Sequence, residues 1–234
     1  MPVRVPPTSR SRAMRALLVA LPLVAALLPA QADAQILSLP RRSREPQVWV
    51  QGGAGLLQLG VVQDGRTGTD WVFSQGAQYR ASLEYDLGRL GRGLAAGLTV
   101  GHAPNVALVY VDEAGDRDAH AAVTSVMGLV RIGGGQGLHQ VIEIQGGIVR
   151  FSDFRDDDDG DAALPPEADA DFIFGLGYGF GLTLNERLHV ALVQDYMQSF
   201  HQREGLGNGA RTNTTHYVTR LQLRFGLGSK PAVR

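Results

Sequence analysis

Asp156, Asp157, Asp158, Asp159 and Asp161 stand within six consecutive positions, and clustered carboxylates are the ligands that hard cations such as calcium and magnesium prefer. The helix-flanked calcium-loop pattern fails here, because its first position falls on Arg155 and no helix adjoins the run. A solvated surface loop is the simpler expectation, with a cation-bridging loop as the chemical alternative. A second constellation is Asp195, Ser199 and His201, which share one parity along a segment of alternating character. Serine, histidine and carboxylate are the parts of a hydrolase that attacks esters, provided base and nucleophile come within hydrogen-bond reach. Ser199 and His201 are close enough on one strand face to meet, whereas Asp195 lies further along it. A third set consists of charges inside otherwise amphipathic segments: Arg80, Glu84, Asp86, Glu143, Asp195, Arg220 and Arg224. Opposite charges held in one confined interior pair with each other, which predicts a salt-bridged network.

Other chemistry is not supported. His102, His120, His139, His189, His201 and His216 lack paired metal-ligand spacing, so no metal site is predicted. Gly175, Gly177 and Gly179 imitate a nucleotide loop, yet they lie inside a strand pattern with no phosphate-binding helix after them, and no cofactor is expected.

The segment that holds those glycines indicates what positions the charges. From Phe172 to Leu184 the large residues Phe172, Phe174, Leu176, Tyr178, Phe180, Leu182 and Leu184 alternate with Ile173, Gly175, Gly177, Gly179, Gly181 and Thr183. Side chains alternate sides along a β-strand, so one face is greasy and the other nearly bare. A membrane-spanning barrel accounts for both faces: the apolar row meets lipid and the glycines leave room in a narrow lumen for side chains from neighbouring strands. A water-facing glycine row would be poor in solubilising groups, which disfavours a soluble exported barrel that binds an apolar ligand inside.

The N-terminus supplies a route to a membrane. Arg4, Arg10, Arg12 and Arg15 precede an apolar stretch from Ala16 to Ala30, then Ala32-Asp33-Ala34. This is the pattern of a secretory signal peptide, 1–34, cleaved after Ala34. Its apolar part is shorter than a spanning helix needs and is interrupted by Pro22 and Pro29. The chain holds 22 Lys+Arg and 23 Asp+Glu; the leader carries four arginines and one aspartate, so 18 face 22 after cleavage and the net charge is −4. Nucleic acid is therefore not an expected partner. With no cysteine in 234 residues, a cysteine-anchored lipoprotein and a disulfide-stapled domain are excluded.

After a polar periplasmic lead-in, 35–46, eight β-favouring runs recur at 47–62, 71–87, 94–111, 119–132, 138–151, 171–184, 187–200 and 214–228. The connections 63–70, 112–118, 152–170 and 201–213 are longer and charged, while 88–93, 133–137 and 185–186 are tight. That alternation predicts an all-β, eight-stranded antiparallel up-and-down transmembrane barrel over 47–228, with both termini on the periplasmic side and a short tail, 229–234. Phe73 and Tyr85 fit opposite aromatic girdles, and Trp49, Trp71, Tyr110, Tyr196, Tyr217 and Phe225 are further girdle candidates. The runs at 47–62, 94–111 and 119–132 are rich in Gly and Ala and weakly phased.

The signal peptide, the eight amphipathic runs, the loop asymmetry and the closing Leu221-Gln222-Leu223-Arg224-Phe225 resemble the small bacterial outer-membrane barrels of the OmpA/OmpX and opacity-protein type. The resemblance covers nearly all of the processed chain. It implies the outer membrane of a Gram-negative bacterium, contact with outer-membrane lipid and lipopolysaccharide, and insertion by the barrel-assembly machinery. That machinery reads a terminal aromatic residue in the group, whereas here Phe225 is followed by Gly226 to Arg234. The function implied is structural or surface-interacting, carried by the outer loops without catalysis, with divalent cations as possible bridges between the acidic loop and lipopolysaccharide. The alternative is a lipid hydrolase similar to lipid A deacylases, using Ser199, His201 and Asp195, although the histidine–serine order of those enzymes is not reproduced.

Overall fold

A computed structural model describes residues 46–88, 93–160, 162–164, 170–202, 204–207, 210 and 212–228. The predicted signal peptide, nearly all of the lead-in, the tail and Asp161 lie outside the described residues.

The strands are β1 (Val48–Leu59), β2 (Val61–Asp64), β3 (Thr69–Phe73), β4 (Gln75–Asp86), β5 (Leu94–Asp112), β6 (Gly115–Ile132), β7 (Leu138–Asp156), β8 (Ala170–Asn185), β9 (Leu188–Phe200) and β10 (Asn213–Leu227). β2 continues β1 past Gly60, and β4 continues β3 past Ser74, so ten strands make eight staves. Every adjacent pairing is antiparallel, each stave pairs with the next along the chain, and β1 with β10 closes the wall. Closure leaves no edge strand across the wall's middle, as a lipid environment requires of a spanning sheet.

Both described chain ends lie at one end of the barrel, here the base; the opposite end is the rim. At the base the turns 133–137 and 186–187 are short. At the rim, 157–169 and 201–212 are long, but 65–68 and Glu113–Ala114 are tight turns. The charged connection expected at 112–118 is thus a correction: Asp112 ends β5 and Asp116 and Asp118 lie on β6, which run on as a tall hairpin with only Glu113 and Ala114 between them.

The outer surface is the apolar one. Phe172, Phe174, Leu176, Tyr178, Phe180, Leu182 and Leu184 are all exposed, and Leu83, Leu98, Ile144, Leu192, Leu221 and Leu223 continue the belt around the other staves. The interior holds the buried residues, so the core of this molecule is the filled lumen.

Near the rim four of the first five staves, all but β6, break their alternation. Leu57 points inward and so do Val62 and Asp64, which requires a change of phase at Gly60; Trp71 and Phe73 point inward and so do Gly76, Gln78 and Arg80, which requires another at Ser74. β5 carries an extra residue between Ala103 and Val106, and β7 carries one between Ser152 and Arg155, opposite His120 and Ala122 of β6. On β7, Phe151 and Phe154 both face inward around Asp153, whose φ is 54°. Such bulges reset which face a residue joins. They correct the girdle assignment: Trp71, Phe73 and Tyr110 lie inside the lumen, as does Trp49 near the base, while Tyr85, Tyr196, Tyr217 and Phe225 face outward.

Candidate functional site

The lumen is stacked in three layers, and the middle one carries most of the charge. Arg80 Nη1 meets Asp195 at 3.1 Å, Arg220 Nε meets the same carboxylate at 2.7 Å, and Arg131 Nη1 meets Glu143 at 2.8 Å. Arg220 also donates to Glu143 and to Gln222. Neutral groups complete the net: Arg80 Nη2 to Gln145 at 2.6 Å and Nε to Thr99 at 2.7 Å, Gln145 Nε2 to Glu143 at 3.1 Å and to Asp195 at 3.2 Å. Arg131 Nη1 donates to Gln51 at 3.0 Å, and Gln51 Nε2 to Gln222 at 2.7 Å. All are buried.

β1, β4, β5, β6, β7, β9 and β10 each send a side chain into this layer; β8 sends none. At Gly177 an added Cβ would stand 2.4 Å from Asp195 Oδ1 and 3.3 Å from Glu143 Cβ. The glycine row of β8 therefore vacates the space that the carboxylates occupy. Gly175 makes room for Met197, Gly179 lies against the Leu192–Val193 backbone and Gly181 against His139. An eight-stranded barrel is wide enough only for such interdigitated filling.

Toward the base, Arg224 pairs with Glu84 at 2.7 Å and lies 4.1 Å over the Trp49 ring. Trp49 in turn contacts His189 at 4.7 Å between ring centroids. Toward the rim the filling becomes apolar: Trp71 packs at a tilt against Phe154 at 4.7 Å and Phe151 at 5.8 Å between ring centroids, with Val62, Leu108, Tyr110, Val123 and Met127 in the same cluster. Above it His201 Nδ1 lies 2.8 Å from Asp171 Oδ2 and Nε2 lies 3.6 Å from Asp64 Oδ1. His201 is the first residue past β9. Burial disfavours its charged form, but the hydrogen bond to Asp171 and the charges of Asp171 and Asp64 outweigh that and leave its pKa above the ordinary histidine value.

Of the charges singled out in the sequence, Arg80, Glu143, Asp195 and Arg220 meet in the middle layer and Glu84 with Arg224 in the one below. Asp86 stands at the end of β4, where its Oδ1 accepts from the Gly88 amide at 2.7 Å and its charge acts on Arg224. The hydrolase constellation is not assembled. Ser199 Oγ is 2.7 Å from His216 Nε2, His201 is committed to Asp171 and Asp64, and Asp195 is held by two arginines. Ser199 and His216 are 0% and 2% exposed, which leaves no approach for a substrate. In the acidic run, Asp156 Oδ1 caps its own turn through the amides of Asp158 at 2.8 Å and Asp159 at 3.3 Å, and Asp157 meets His120 at 2.7 Å. Among the described residues no group of three or more histidines and carboxylates is placed to hold a metal ion.

Sequence reasoning missed Arg131, Gln51, Gln145 and Gln222. Arg131 sits on β6, whose inward positions Val123, Met127 and Leu129 are as apolar as its outward ones, so alternation gave no signal. Gln145 and Gln222 were visible as the polar partners of Glu143 and Arg220 on their own strands.

No protein-family model matches this sequence, and no curated protein is significantly similar to it. Solved structures are similar. Neisserial surface protein A superposes with a TM-score of 0.51 at 9% identity, over 77% of this chain and 97% of that one. Outer membrane protein OprG from Pseudomonas aeruginosa superposes with a TM-score of 0.50 at 12% identity, over 80% of this chain and 99% of that one. With the closed antiparallel wall, the apolar outer belt and the filled lumen, these likenesses give the chain the fold of the small eight-stranded outer-membrane β-barrels.

Proposed function

We propose that this chain is a non-catalytic outer-membrane protein of a Gram-negative bacterium, exported by its leader with cleavage near Ala34. Its barrel is sealed, and its rim serves a structural or surface-interaction role. The observation that carries this reading is the lumen: an ion-pair layer drawn from seven staves under an aromatic layer around Trp71 leaves the wall no aqueous path to enclose. A sealed barrel cannot earn its place as a pore, so its working surfaces are the belt, which meets outer-membrane lipid, and the rim, which faces outward among lipopolysaccharide. The tall β5–β6 hairpin lies at the rim, and the long 157–169 and 201–212 connections join strands at that same end. The buried Ser199–His216 pair, with no carboxylate bonded to it among the described residues, supports the non-catalytic reading.

The test combines conductance with topology. The refolded protein in planar bilayers is expected to give no steady unit conductance; a stable open level would overturn the sealed reading. An epitope placed in the 157–169 connection is expected to be reached by antibody on intact cells, and one placed in 133–137 only after permeabilisation. The reverse pattern would overturn the orientation.

A further inference from the structure

At the rim one stretch of wall is closed by side chains where the rest is closed by backbone ladders. The β1–β10 ladder ends at Leu59 opposite His216, with Gly60 N donating to Thr215 O at 2.9 Å. Beyond it β2 pairs with β3, and β3 with β5 through Asp70–Phe73, but β2 has no ladder toward β10. The β2–β3 hairpin is thus joined to its staves through Gly60 and Ser74, the two points where the alternation changes phase. Among the described residues, contacts other than a ladder bridge the seam. Thr214 Oγ1 donates to Val61 O at 3.0 Å, His201 faces Asp64, Arg66 meets Glu204 at 3.7 Å, and Gly65 crosses Gly205. At that crossing a Cβ on Gly65 would fall 2.2 Å from Glu204 O, so the two backbones touch.

We propose that His201 is a pH-sensitive clasp: protonated, it bridges Asp171 on β8 to Asp64 on the hairpin and holds the seam shut; neutral, it releases the hairpin. A protonated imidazole donates from both ring nitrogens and satisfies a carboxylate at each. A neutral ring keeps one N–H. With that proton on Nδ1 for Asp171 at 2.8 Å, Nε2 turns a lone pair toward Asp64 and the attraction becomes repulsion. Asp64 also builds the hairpin turn, accepting from the Arg66 amide at 3.0 Å and from Thr67 Oγ1 at 2.5 Å, so a force on its carboxylate moves the whole turn. Among the described residues the charged groups against His201 are these two carboxylates; Trp71 on β3 covers another side at 5.2 Å, and Arg66 lies 3.7 Å from Glu204 further out. All three members are nearly buried, at 9% exposure for His201, 3% for Asp64 and 2% for Asp171. Because the proton is bound more tightly in the closed form, its contribution to closure is fully present below the ordinary histidine value of 6.5 and is lost as pH rises through the higher folded pKa. The inference rests on the fold and stands whether or not the rim has the surface role proposed above.

Trp71 reports the seam directly. The chain has two tryptophans, so Trp49→Phe leaves Trp71 alone. The readout is the acrylamide quenching constant of Trp71 in the refolded barrel from about pH 6 to about pH 9; it reports access, whereas intensity would also register quenching by the nearby imidazolium. The expected result is a severalfold rise along a single-proton transition, a flat profile in the added variant His201→Gln, and a high constant already at the acid end in Asp64→Asn. The chain lacks cysteine, so Arg66→Cys/Glu204→Cys bridged by a short bis-maleimide holds the seam shut and removes the transition even where His201→Gln does not fold. A flat profile in Trp49→Phe, a transition that survives His201→Gln, or one that survives the bridge would each overturn the clasp.

Discussion

Arg220 Nε meets Asp195 at 2.7 Å while the other end of the same guanidinium reaches Glu143, so one arginine on β10 ties together carboxylates on β9 and β7 with the glycine strand β8 between them. The layer holds three cations, Arg80, Arg131 and Arg220, against two anions, Asp195 and Glu143, with Arg224 and Glu84 paired separately below. The excess of positive charge makes the two kinds of group unequal in what their removal costs.

Asp195→Asn is expected to destabilise the barrel by about 3–5 kcal/mol, because it leaves Arg80 and Arg220 facing a neutral amide in a buried site. Arg220→Met leaves Asp195 with Arg80 at 3.1 Å and Glu143 with Arg131 at 2.8 Å and balances the layer, so it costs less than half as much. Urea unfolding of the protein refolded in lipid vesicles measures both. Equal losses, or a larger loss for Arg220→Met, would contradict the charge count.

The β8 glycines divide by what lies above them. At Gly179 an added Cβ would be 2.0 Å from Leu192 O and 2.7 Å from Val193 Cα, both backbone, whereas at Gly177 the nearest atom is the Asp195 carboxylate oxygen. Backbone in a closed wall has nowhere to go, and a side chain has. Gly179→Ala is therefore expected to lower the yield of heat-modifiable, folded protein on gels far more than Gly177→Ala. A Gly179→Ala protein that folds like the parent would mean that β8 does not pack as closely as this.

These two classes of residue differ in how legible they were. β8 announced itself because one face is glycine and the other Phe, Leu and Tyr, and the loop alternation then fixed the count of staves. Arg80 and Arg220 were readable because polar residues recur at every second position along much of β4 and β10 and must share the lumen, and Glu143 and Asp195 because a charge on the face opposite the large apolar residues of β7 and β9 must do the same. Arg131 was hidden by a strand apolar on both faces. Trp71 and Phe73 were assigned outward by carrying the parity of Tyr79 back through Ser74, where a change of phase reverses it, and nothing in a serine marks such a change. The His201 clasp draws on three distant segments, and Asp64 and Asp171 carried no signal beyond being acidic.

The belt sets a depth scale that substitution can read. Leu176 lies near its middle, opposite Ile144 and Tyr196, while Leu184 lies at the base end beside the turn to β9. A charge on the lipid face costs about 2–4 kcal/mol at the midplane and about 0–1 near the interfaces. Leu176→Arg is expected at the upper end and Leu184→Arg at the lower, measured by unfolding from vesicles. If the two cost the same, the belt does not lie in a bilayer at the assigned depth.

Trp71 separates stability from sealing. It is fully buried, packs on Phe151, Phe154 and His201, and donates its indole N–H to Thr69 Oγ1 at 2.9 Å. Trp71→Ala should cost about 3–5 kcal/mol through the cavity it leaves, and Trp71→Phe only about 1 kcal/mol beyond the smaller ring for the lost hydrogen bond. Neither should make the barrel conduct, because the ion-pair layer beneath is untouched and still spans the lumen. Urea unfolding and bilayer conductance on the same preparations test both halves: an open level in Trp71→Ala would locate the seal in the aromatic layer, and an unchanged stability would mean that the rim half of the lumen contributes little to holding the staves together.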